Sequence, residues 1–180
     1  MPASPVPLPP PRHPDGPYRV CCVCLGNICR SPIAEVVLRD QVAKAGLAGA
    51  VLVDSAGTGD WHIGARMHSG SRKQLARNGY DGEAHRARQI DPSWLPERDL
   101  FLAMDAANLR DLRAMAAPGD HDRIRLFGEI AGLDGQDVPD PYYGTDADFA
   151  RVLALLETGM SRLTAQLREQ FNNPHTERER

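Results

Sequence analysis

The sequence predicts an α/β fold: a single domain built on a four-stranded parallel sheet with helices on both faces and a phosphate-binding loop after the first strand. Three observations lead there. Short apolar runs alternate with longer stretches of helical period, the signature of strand–helix–strand units. A loop rich in Cys, Gly and Asn joins the first apolar run to the first helical stretch. No internal repeat or second core divides the 180 residues, enough for one substantial domain.

The elements follow in order. Residues 1–17 carry Pro2, Pro5, Pro7, Pro9, Pro10, Pro11, Pro14 and Pro17. Such a segment cannot build a core and is expected to be an extended, disordered tail. The domain proper is expected over residues 18–171. Tyr18–Cys24 reads as a buried strand. Pro32–Ala45 has an apolar stripe at Ile33, Ala34, Val37, Leu38 and Val42 and ends near Gly46, which reads as a helix. Val51–Asp54 is a second strand, and Ser69–Asn78 a helix closed by Gly79. Leu100–Met104 is a third strand, Asp105–Met115 a helix, and Arg123–Phe127 a fourth strand. Thr145–Gln170 is a long helix with a core face of Phe149, Val152, Leu156, Met160, Leu163 and Leu167. Thr145 and Asp148 have the spacing of a capping box. Residues 172–180 form a polar C-terminal tail.

Composition narrows the function. Apolar residues make up 42% and charged residues 25%, as in an ordinary globule. The formal net charge of -3 gives no reason to expect nucleic acid or an acidic membrane as partner. No stretch has membrane-spanning length, and the N-terminus lacks a signal-peptide pattern. A cytoplasmic protein, monomeric or weakly dimeric, is expected. The 4 cysteines fall at positions 21, 22, 24 and 29, too close together to staple a fold. They also lack the paired spacing of a zinc site, so no metal and no cofactor is expected.

The chemistry concentrates in Val20-Cys-Cys-Val-Cys-Leu-Gly-Asn-Ile-Cys-Arg-Ser-Pro32. A strand ending at Cys24 puts that thiol at the carboxyl edge of the sheet, where ligands of such folds bind. Residues 25–30 can turn their N–H groups inward, and the helix starting near Ser31 presents its positive end, with Pro32 suited to the first turn. Together they make an anion cradle with a nucleophile at its floor. The bland alternative is a strand-end cysteine serving as a small core residue.

The run Cys24-Leu-Gly-Asn-Ile-Cys-Arg-Ser-Pro32 closely resembles the signature of low-molecular-weight protein tyrosine phosphatases. So do Asp54-Ser-Ala-Gly57, His85-Arg-Ala-Arg-Gln89, Met104-Asp-Ala-Ala-Asn-Leu-Arg-Asp-Leu112 and Asp137-Val-Pro-Asp-Pro-Tyr-Tyr-Gly144, in family order across Tyr18–Gln170. The resemblance implies phosphotyrosine-containing proteins as substrates, hydrolysed without metal through a phosphocysteine. It makes Cys24 the nucleophile and Arg30 the two-pronged phosphate clamp. Asp140 becomes the general acid and base; read alone it is a turn residue before Pro141, and Asp137 is a weaker competitor. Leu25, Gly26, Asn27, Ile28, Cys29 and Ser31 complete the phosphate-binding loop, with Ser31 also able to donate to the thiolate. Asn27, in a left-handed conformation, Ser55 and His85 match family positions that hold the loop open. Trp61, Tyr142 and Tyr143 are expected to wall the cleft, and Ile28, where phosphoarginine phosphatases of the family carry Thr, implies phosphotyrosine. Cys29 matches a position that can pair with the nucleophile under oxidation.

Three rival readings fit the residues less well. Arsenate reduction on the same scaffold would use cysteines well beyond the loop, and none follows Cys29. A metal module lacks its ligands. A non-catalytic phosphotyrosine binder would usually lack the nucleophile, arginine or acid, and candidates for all three are present.

Overall fold

The computed structural model of the protein describes residues 6–172. Four strands, β1 (Tyr18–Cys24), β2 (Val51–Gly57), β3 (Leu100–Ala103) and β4 (Ile124–Leu126), form one parallel sheet in the order β2-β1-β3-β4. The helices are α1 (Arg30–Lys44), α2 (Ser69–Arg77), α3 (Ala106–Met115), the single turn α4 (Phe127–Ile130) and α5 (Asp146–Asn172).

β1 is central, and only Arg19 on it is exposed. Its side chains alternate between two cores. Val20, Cys22 and Cys24 point into the larger one, with Ile33, Val37 and Leu38 of α1 and Val152, Leu156 and Met160 of α5. Cys21 and Val23 point into the smaller one, with Phe101, Leu112 of α3 and Ile124. With two neighbours and both faces covered, the strand reads as a continuous apolar run.

The four strands and the helices α1, α2, α3 and α5 match the expected set, with shifted ends, and the single turn α4 is additional. β2 continues past Asp54 to Gly57, because Ser55, Ala56 and Gly57 pair with Cys22, Val23 and Cys24. Polar Asp54 and Ser55 hide that extension in the sequence. α1 begins at Arg30, so Pro32 sits in its first turn, where a missing N–H is harmless. β4 stops at Leu126, and Phe127 opens α4 instead of ending the strand. Gly79 takes φ 83° just beyond α2, the left-handed stop expected there. At α5, Asp148 accepts from the Thr145 N–H at 2.8 Å, half of a capping box.

The N-terminal segment differs most from expectation. Residues 6–17 are irregular but held against the domain. Val6 and Leu8 pack on the larger core, and Tyr18 Oη donates to the Pro9 carbonyl at 2.9 Å. The Arg12 N–H donates to Asp99 Oδ1 at 2.7 Å, and the Arg12 guanidinium reaches Asp120 at 2.7 Å and the Arg98 and Leu95 carbonyls. Arg123 Nη1 donates to the Pro10 carbonyl at 2.7 Å. Prolines have no N–H but keep strong acceptors, so such a strap is held by donors reaching from the body. Residues 1–5 of the expected tail, and 173–180 of the C-terminal one, lie outside the described residues. No helix among the described residues is long and apolar enough to cross a membrane.

Parallel strands put all carboxyl ends on one edge. β2 and β3 lie on opposite sides of β1, so the strand order reverses beside it. That reversal leaves a crevice at the carboxyl end of β1, where Cys24 sits.

Candidate active site

The loop after β1 is shaped by what its carbonyls do. Those of Cys24 and Leu25 accept from the N–H groups of Thr58 and Gly59, both at 2.9 Å. That of Asn27 bonds His85 Nε2 at 2.8 Å, and that of Ile28 accepts from the His68 N–H at 2.8 Å. The Cys29 carbonyl accepts from Ser71 Oγ at 3.3 Å. A planar trans peptide points its N–H opposite its carbonyl. With those five carbonyls engaged, the N–H groups of Leu25, Gly26, Ile28, Cys29 and Arg30 point the opposite way. Among the described residues, no N–H from 25 to 29 donates to another backbone group. The loop therefore offers an anion a ring of free donors at the N-terminus of α1.

Asn27 is the keystone of the loop. It is fully buried at φ 56°, a conformation Asn tolerates. Its Nδ2 donates to Ser31 Oγ at 2.8 Å and Ser55 Oγ at 3.0 Å, while Oδ1 accepts from the Arg88 N–H at 3.0 Å. Ser31 Oγ lies 2.9 Å from Cys24 Sγ. One chain of bonds thus runs from β2 through Asn27 and Ser31 to the thiol. Burial holds His85 below the ordinary histidine value despite its bond to Asn27, which suits a neutral ring donating from Nε2. Gly57 is required for close approach: a Cβ there would lie 2.7 Å from the Leu25 carbonyl oxygen.

Arg30 is buried, with its side chain 3% exposed. Nη1 donates to Asp105 Oδ2 at 2.6 Å and to the Val138 carbonyl at 3.1 Å, and Nη2 lies 3.8 Å from Asp140 Oδ2. Burial opposes its charge, but Cys24, Asp105 and Asp140 outweigh that and raise its pKa above the ordinary arginine value. Asp140, about half exposed, lies beside Arg30, and its Oδ1 accepts from the Tyr142 N–H at 3.1 Å. Asp137 points elsewhere, accepting from the Ala106 N–H at the start of α3 at 3.0 Å.

The rim is aromatic. Tyr142 packs against Ile28, Cys29 and Phe149 and meets Tyr143 edge-on at 4.7 Å. Tyr143 is 96% exposed and Trp61 70%. The Trp61 ring lies over Gly59, where a Cβ would come within 2.0 Å of it. Leu25 is exposed at the mouth and Ile28 is buried. Cys24 and Cys29 are both free and buried, and burial, then the charge of Cys24, pushes the Cys29 thiol up to about 12. Cys21 and Cys22 belong to the two cores, and burial raises both.

The structure therefore gathers Cys24, Arg30, Ser31, Asn27, Ser55, His85 and Asp140 at one strand edge, with Tyr142 packed on the loop, Tyr143 against Tyr142, and Trp61 over Gly59. Sequence reasoning missed Asp105, the partner of Arg30. The signal was present, since Asp105 lies two residues past β3 and opens a helix with Asn108 in a capping box. It also missed His62 and His68, whose rings lie 5.9 and 5.4 Å from that of Tyr142. No pattern in the sequence links those residues.

A buried thiol at the end of a loop whose carbonyls are engaged, with a buried arginine and a carboxylate beside that arginine, is a donor set suited to a phosphate ester. Comparison with known proteins agrees. Residues 19–173 match the profile of the family described as low molecular weight phosphotyrosine protein phosphatase. The chain is 47% identical over 159 residues to the low molecular weight protein-tyrosine-phosphatase of Streptomyces coelicolor, covering 85% of this chain and 95% of that protein. It is 43% identical to YfkJ of Bacillus subtilis, covering 84% and 96%. The crystal structure of YfkJ superposes with a TM-score of 0.79 over 86% of this chain and 97% of that one. A protein tyrosine phosphatase from Entamoeba histolytica gives 0.79 at 32% identity, over 86% and 99%. The chain belongs to the low-molecular-weight protein tyrosine phosphatase family.

Proposed function

We propose that the chain hydrolyses phosphotyrosine in proteins, and arylphosphates generally, with Cys24, Arg30 and Asp140 in the reacting roles. The Cys24 thiolate attacks phosphorus from the loop floor. The P–O(aryl) bond breaks as a P–S bond forms, and Asp140 gives its proton to the departing phenolate oxygen. Water then attacks phosphorus, Asp140 takes its proton, the P–S bond breaks, and inorganic phosphate leaves with the thiolate restored. Inward N–H groups and the flat guanidinium of Arg30 meet the equatorial oxygens, where charge is held through both steps. Ser31, 2.9 Å from Cys24 Sγ, stabilises the thiolate as it departs.

The observation that carries this reading is the convergence on one crevice of Cys24 on its serine, Arg30 in its double anchor, and Asp140 3.8 Å from that arginine. Asp105 and the Val138 carbonyl fix one edge of Arg30, leaving the other for substrate. Trp61, Tyr142 and Tyr143 suit a flat phenol ring, and a phosphoserine side chain is too short to reach past them. The test is rapid acid quench during turnover of a phosphotyrosine peptide, followed by peptide mapping. Phosphate should appear on Cys24, and Cys24→Ser should abolish turnover while inorganic phosphate still binds. Phosphate on another residue, or near-normal turnover by that variant, would refute the assignment.

A further inference from the structure

His68 is where the parts of the site meet, though no step above uses it. Its backbone N–H donates to the Ile28 carbonyl at 2.8 Å, tying it to the phosphate loop. Its ring Nδ1 accepts from the Gly70 N–H at 3.0 Å and so caps α2. One ring face stacks on Phe149 in the first turns of α5, with centroids 4.8 Å apart at 24°. Tyr142 meets the ring edge-on at 5.4 Å and 65°. Tyr142 in turn donates its N–H to Asp140. Gly70 makes the stacking feasible: a Cβ there would lie 2.6 Å from the Phe149 ring. One residue thus connects the phosphate loop, through its backbone, with α2, α5 and the loop bearing Asp140, through its ring.

We propose that His68 is a positioning residue, a neutral imidazole that latches Tyr142 and so holds Asp140 over the phosphate loop. The latch rests on the reading of Asp140 as the acid only for its effect on rate. The neutral form is required, because Nδ1 must carry a lone pair toward the Gly70 N–H. A proton there would set two N–H groups against each other at a helix N-terminus, where positive charge is disfavoured. Three titratable groups face the ring. Asp140 favours its protonation, His62 across Tyr142 opposes it, and the third is the Tyr142 phenol. Burial is the largest influence and lowers the His68 pKa below the ordinary histidine value. A depressed pKa adds stability that is complete above about pH 6.5 and is lost as pH falls through the folded value. The latch should be closed at neutral pH and open on acidification.

His68→Asn separates the latch from the cap, because the Asn side chain still offers an acceptor to the Gly70 N–H but has no ring. Its melting temperature should stay within about 4 °C of the parent, an effect on the order of 1 kcal/mol. In single turnover, phosphotyrosine should react about 10-fold more slowly, a fraction of a full general-acid loss, while an activated phenyl phosphate changes less than about 2-fold. In the Asp140→Asn background the same substitution should add nothing. The second readout does not involve rate: the ring NMR signals of Tyr142 should titrate with an apparent pKa below 6.5 in the parent and lose that step in His68→Asn. Equal slowing of both substrates, or full additivity with Asp140→Asn, would overturn the latch, as would Tyr142 signals indifferent to His68. Should Asp140→Asn itself fail to discriminate leaving groups, the acid assignment falls alone, and the Tyr142 titration still decides the latch.

Discussion

Asn27→Ala should be among the most damaging changes outside the three residues proposed to react, and the structure sets its size. The side chain makes three buried hydrogen bonds: to Ser31, to Ser55 and from the Arg88 N–H. At about 1 kcal/mol each they sum to roughly 3 kcal/mol. Asn27 sits at φ 56°, and holding alanine there adds about 1 kcal/mol. A loss of about 4 kcal/mol in a domain of this size lowers the melting temperature by roughly 8–16 °C. Ser55→Ala removes one of those bonds and should lower it by only about 2–4 °C. The assay is thermal unfolding followed by circular dichroism, with urea titration for the free energy. Turnover of Asn27→Ala should also fall where the protein is still folded, since Ser31 loses the donor that aims its hydroxyl at Cys24. A melting point within about 3 °C of the parent, with unchanged turnover, would refute the reasoning that Asn27 organises the loop.

Two further substitutions probe the supports. Asp105→Asn keeps an acceptor for the α3 cap but discards the charge that pairs with Arg30 at 2.6 Å. It should weaken competitive inhibition by inorganic phosphate and cut kcat/KM by about 10-fold or more, the scale of one charge-assisted bond. Arg12→Ala releases the N-terminal strap from Asp120 and from the Arg98 and Leu95 carbonyls. Urea unfolding should register a loss of about 1–3 kcal/mol with kcat unchanged, because the strap crosses the amino ends of the strands and the site lies at the carboxyl ends.

Legibility in the sequence followed the physics of each feature. β1, α1 and α5 announced themselves because their burial is periodic or continuous. β2 beyond Asp54 did not, because its last residues are held by pairing with β1 and not by apolar character. The loop after β1 could be read because its chemistry is local: candidate nucleophile, left-handed Asn, arginine and helix start lie within a few residues. Arg30's anchors could not be, since Asp105 and Val138 lie far along the chain and meet it only where β1 and β3 adjoin. His68 carried no signal, as its role depends on rings from three separate segments. The strap is hidden in the sequence for another reason: proline content reports what a segment cannot donate, but Pro9 and Pro10 are held through what they accept.

The central claim is that Asp140 protonates the leaving group of a phosphoryl transfer to Cys24. Its most direct test is the single-turnover phosphorylation rate of Asp140→Asn across arylphosphates of graded leaving-group pKa, with Asp137→Ala beside it as the structural carboxylate that caps α3. The account predicts a loss on the order of 10²–10⁴-fold for phosphotyrosine, whose phenol has a pKa of about 10. That loss should shrink steadily as the phenol becomes more acidic, while Asp137→Ala keeps the parent's dependence. Equal slowing of every substrate by Asp140→Asn, or a leaving-group trend that follows Asp137 instead, would contradict it.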